Sequence, residues 1–92
     1  MRATVVGLVT PHLLRIVELA TQAEKAVNVD WHLRDSVAKT MRELGDQYNA
    51  PALVTAYIDG LESAAIQAPR TRAAYVGVLQ AAAAAARNLR RD

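Results

Sequence analysis

Leu79 to Asp92 reads LQAAAAAARNLRRD: six consecutive alanines, Ala81 to Ala86, followed by Arg87, Arg90 and Arg91. Alanine has the best helix propensity, so the stretch predicts a helix rather than a disordered tail. Tyr75, Val78, Leu79, Ala82, Ala86 and Leu89 recur at helical spacing and form its core stripe. From Ala73 to Ala86 no residue is charged, and Gln80 is the one strongly polar side chain. A helix apolar on every side is normally buried. These fourteen residues rise only about 21 Å, too little to cross a bilayer. Small side chains let neighbouring backbones approach closely. The alanine run is therefore a packing surface, and the arginines that end it favour the helix dipole.

Three more helices precede it. Thr10-Pro11 is a start signal, since Thr caps the first N–H groups and Pro suits the first helical position. Leu13, Ile16, Val17, Ala20, Ala23 and Val27 follow on one face. Asn28-Val29-Asp30 breaks that helix, and Asp30 is placed to cap the next. Leu33, Val37, Met41, Leu44 and Tyr48 give the second stripe, with Asp35–Lys39, Lys39–Glu43 and Arg42–Asp46 as four-residue charge pairs on the wet side. Asn49-Ala50-Pro51 starts a third helix with a broad apolar face, which Asp59-Gly60 is expected to kink or end. Ala68-Pro69-Arg70-Thr71 starts the fourth. The expected helices span about 11–27, 31–48, 51–67 and 70–91. They predict an all-α domain, a four-helix antiparallel bundle or two stacked helical hairpins. Residues 1–92 form one domain, with residues 1–10 as an N-terminal arm. Pro11 aligns with Pro51 and Leu13 with Leu53, a faint hairpin repeat.

The composition supports one small core. Hydrophobic residues make up 52% of the 92, but aromatics only 4%, and Phe is absent. A core of small side chains is marginal alone, which favours oligomerisation or a partner. With no cysteine there is neither a disulfide frame nor a thiolate zinc site, in keeping with a reducing, cytoplasmic location. The apolar run Val5 to Val9 is too short for a signal-peptide core, and no stretch is long enough to span a membrane. The net charge of +2 comes from the second half of the chain.

Few residues are arranged for chemistry. His12 and His32 are twenty positions apart, without a metal-ligand neighbour, and each is expected in a solvated first turn. Ser36 and Ser63 lack a nucleophile elbow, and the glycines are too isolated to cradle phosphate. Neither catalytic residues nor metal or cofactor ligands are assigned, and no small-molecule substrate is expected.

Arg42 to Ile58, RELGDQYNAPALVTAYI, resembles a helix-turn-helix: Leu44 and Gly45 supply the apolar-then-small pair, Asn49 the turn, and Ile58 the closing core position. That resemblance implies DNA binding. Against the pattern, Ala50 is small, Thr55 is polar where the second helix should pack inward, and Ala52 to Tyr57 carry no Arg, Lys, Asn or Gln to read bases. Arg87, Arg90 and Arg91 span about 100° of helix surface and offer contacts to phosphate. The first expectation is a non-enzymatic interaction module that self-associates or docks on a protein through its third and fourth helices. Trp31, Tyr75, Leu79, Ala82, Ala83 and Ala86 are its expected contact residues. The alternative is a small DNA-binding protein of the phage-packaging, repressor or antitoxin type.

Overall fold

The computed structural model describes residues 5–47 and 51–90, the side chains at 5, 6, 46 and 47 excepted. It is a four-helix bundle. Helix α1 spans Val5–Glu24, α2 Asp30–Arg42, α3 Pro51–Gln67 and α4 Ala73–Leu89. A π-helical turn, Glu43–Gln47, extends α2. No strand occurs among the described residues.

The alanine helix packs against all three of the others. Val78, Leu79, Ala82, Ala83 and Ala86 are its buried face. Ala73, Ala74, Gly77, Gln80, Ala81 and Ala84 lie on its exposed side. A central helix keeps one wet face here because a methyl group exposes little apolar area to water. Leu33, Val37, Met41 and Leu44 of the second stripe are buried as expected, whereas Tyr48 lies outside the described residues. Val9, Ile16 and Ala20 of α1 and Tyr57, Ile58 and Leu61 of α3 complete the centre of the core.

Helix boundaries differ from expectation in physically readable ways. Pro11 is not the start of α1 but its seventh residue, so the expected arm is helical from Val5 onward. An interior proline costs about 3 kcal/mol. Val9, fully buried in the core, gains roughly 1.5–3 kcal/mol from that burial and holds the first turns in place. Since Pro51 does begin α3, the two prolines do not occupy matching positions, and the faint repeat is not a structural one. Asp30 does not cap α2. Val29 takes the N-cap position without a side-chain bond, and Asp30 is the first helical residue. The Asp30 N–H donates to Asn28 Oδ1 at 3.1 Å instead, while Val29 is drawn into the core. Pro69 lies in a turn before α4, its carbonyl accepting from Arg72 N–H at 3.0 Å.

Helix α1 ends in a Schellman motif. Val27 N–H reaches the Gln22 carbonyl at 3.3 Å, and Ala26 N–H reaches that of Ala23 at 3.1 Å. Ala26 takes the left-handed position, φ 63°, where glycine is usual. Helix α3 runs unbroken through Asp59-Gly60, contrary to expectation. A Cβ at Gly60 would sit 2.7 Å from Leu13 Cδ1 and 3.0 Å from Cδ2. This glycine serves close packing of α3 on α1.

Candidate functional site

Helices α1 and α2 lie apart enough to leave an open groove of about 320 Å³. Both histidines line it, together with Arg15, Asp35, Ser36, Lys39, Thr40 and Glu43. His12 is not simply solvated. Its Nδ1 is 3.4 Å from Thr40 Oγ1, and its Nε2 is 3.6 Å from Glu43 Oε2. The ring thus stands between a hydroxyl on its Nδ1 side and a carboxylate on its Nε2 side. The ring also stands edge-on to Tyr57, with centroids 6.4 Å apart.

Next to Thr40 the Tyr57 hydroxyl is buried, and among the described residues it has no hydrogen-bond partner. Burial pushes its pKa up to about 12, and the nearby Thr40 side chain opposes this in part. Thr40 is the hydrogen-bonding side chain that counters burial at this hydroxyl, though the two are not placed in ordinary hydrogen-bond geometry. The acid–imidazole–hydroxyl order Glu43, His12, Thr40 could relay a proton. Its terminal hydroxyl, however, is on a residue only 5% exposed, within a helix whose interior N–H groups are held by its own ladder. That geometry provides no main-chain donors for a developing oxyanion. Lys39 pairs with Asp35 at 3.0 Å, so the expected Lys39–Glu43 pair gives way to Glu43 facing His12.

The other side of α2 has a different character. Trp31 is 69% exposed and touches His32 edge-on, with ring centroids 5.2 Å apart. Arg34 and Arg42 are exposed, and Ala38 is half-buried between them. Among the described residues neither arginine has a hydrogen-bond, ion-pair or ring partner; the side chain of Asp46, the expected partner of Arg42, lies outside the described residues.

The remaining expected contact residues fall in the monomer's own interior or under other side chains. Leu79, Ala82, Ala83 and Ala86 are buried in the core. Tyr75 is half-buried, and the Arg72 guanidinium lies 3.8 Å above its ring. Arg72 also forks onto Glu24, with Nε to Oε2 at 2.9 Å. That pairing holds the Glu24 carboxyl below its ordinary pKa, chiefly through the hydrogen bond. The same fork joins the end of α1 to the start of α4.

Arg87 pairs with Glu62 on α3, which takes one of the three expected phosphate contacts. Arg91 lies outside the described residues, as do Asn49 and Ala50 at the centre of the helix-turn-helix resemblance. The π-helical turn separates α2 from α3 at that point, and no cation lies on the exposed side of Ala52 to Tyr57.

Sequence reasoning missed the groove and the Arg72–Glu24 fork. Both unite residues from distant parts of the chain, and no local spacing signals such contacts. Among the described residues no group of three or more His, Asp or Glu side chains could hold a metal ion, and no helix is long and apolar enough to cross a membrane. Comparison with protein-family models, curated proteins and solved structures finds no match.

Proposed function

We propose that this protein is a non-enzymatic helical interaction module, and that its contact surface is centred on Trp31 rather than on the alanine helix. The supporting observation is a tryptophan 69% exposed in a chain that has only one. Tryptophan is rich in apolar area and enriched at binding hot spots. Other apolar side chains are exposed as well, among them Leu14 on α1 and Ile66 on α3, but they are aliphatic and smaller. Trp31 differs because its ring is braced against His32. A braced ring has less freedom to lose on docking. With Leu79, Ala82, Ala83 and Ala86 interior, α4 contributes by supporting the bundle. DNA binding is the weaker reading, because Arg87 is neutralised by Glu62.

A single tryptophan makes the test direct. Acrylamide should quench Trp31 freely in the dilute protein, and a photo-crosslinking side chain at position 31 should give a discrete protein adduct in a lysate or with itself. A shielded Trp31 in a species of monomer mass would overturn the reading. So would the absence of any adduct. Turnover that depends on His12 or Thr40 would overturn its non-enzymatic part.

A further inference from the structure

We infer that the Trp31 face of α2 accepts an acidic amphipathic helix. This rests on the docking reading above and gives the partner its chemistry. At 100° per residue Trp31, Arg34, Ala38 and Arg42 fall within about 80° of the helix surface. They form one strip, with the aromatic ring at its N-terminal end and a small residue in its middle. The small Ala38 lets another backbone approach between the two arginines. Arg34 and Arg42 are the charged groups of the strip, and among the described residues neither is neutralised by a partner. The neighbouring acid Asp35 is turned to Lys39 on the groove side.

The spacing favours a helix. Arg34 and Arg42 are about 12 Å apart along the axis, and carboxylates seven residues apart on a partner helix are about 10.5 Å apart. Long arginine side chains absorb that difference. Two turns of partner helix thus meet both arginines, and an apolar side chain on the same face meets Trp31. Opposite charges set register and partner choice, while the aromatic anchor supplies affinity. A nucleic-acid strand repeats its charges more closely than these two arginines are spaced.

The experiment follows Trp31 emission in the full chain during titration with three probes. One is a synthetic amphipathic helix of about 20 residues made of Leu, Ala and Glu, long enough to be helical in water. The second carries Lys in place of Glu. The third is oligodeoxythymidine of about 20 nucleotides, longer than the usual single-strand site. The inference expects a saturable blue shift with the acidic helix alone, weakened about tenfold by the double change Arg34→Gln and Arg42→Gln. Arg70→Gln, at an exposed site in the α3–α4 turn, should leave it unchanged, and circular dichroism should show all variants folded.

A shift with the basic helix, or one insensitive to Arg34 and Arg42, overturns the acidic chemistry while leaving Trp31 as a docking residue. A shift with the oligonucleotide alone overturns both in favour of nucleic acid. A shift on raising protein concentration, with a mass of two chains, makes a second copy the occupant and overturns the inference. No shift with any probe overturns it as well.

Discussion

Tyr57 carries the most exposed risk of any single residue in the core, because its hydroxyl is buried and unpaired. A buried polar group without a partner costs about 1–3 kcal/mol. Tyr57→Phe is therefore expected to leave stability unchanged or raise it by about 1 kcal/mol at neutral pH, as read by denaturant unfolding. A loss larger than that would mean that the hydroxyl bonds Thr40 in solution. The pH dependence has a definite sign. The folded pKa, about 12, exceeds the ordinary value near 10. The unfolded chain thus gives up this proton first, and stability falls as pH rises through that interval. Tyr57→Phe should flatten that alkaline decline. Ala26 is the second such residue. A left-handed alanine costs roughly 1–2 kcal/mol that glycine avoids. Ala26→Gly should raise stability by about 1 kcal/mol; an unchanged midpoint would show that the Schellman turn carries no strain.

At the scale of elements, two glycines in helices separate propensity from packing. Gly77 has open space where a Cβ would go, and Gly60 has Leu13. Gly77→Ala should stabilise by about 0.5–1 kcal/mol through helix propensity alone. Gly60→Ala gains the same amount but must displace Leu13, for an expected net loss of about 1 kcal/mol. Equal gains at both sites would show that Leu13 swings away freely. Much of this level was legible from periodicity. Pro51 and Gln67 bound α3 as expected, and the stripe of α2 is buried through Leu44. Three local signals misled because tertiary packing outweighed them. Val9 drew the first turns of α1 past Pro11, Val29 took the cap position from Asp30, and Gly60 served an approach to Leu13 rather than a break. The candidate site was half legible. Trp31 stood out by type alone, but its partners on the strip are ordinary arginines until their lack of ion pairs is known.

For the molecule as a whole, the decisive fact is which way α4 faces. Ala83 is buried and Ala84 exposed, one residue and 100° apart. Ala83→Glu should cost about 3–5 kcal/mol, since the carboxylate would be enclosed without a partner. Ala84→Glu should stay within about 0.5 kcal/mol of the parent. Urea unfolding of both variants checks this, and the reverse order would mean that α4 is rotated or shared with another chain. The same central placement bears on how the protein is made. Ribosomes release a chain from its N-terminus at about 5–20 residues per second, and the helix on which the other three pack is the last of the four to emerge. Until then α1, α2 and α3 close on one another only in part, since each of them also packs on α4. The bundle therefore cannot be completed until α4 is out. Its core closes fully once α4 clears the ribosome, and before that moment the nascent chain presents the faces that α4 will cover to any chaperone at the exit.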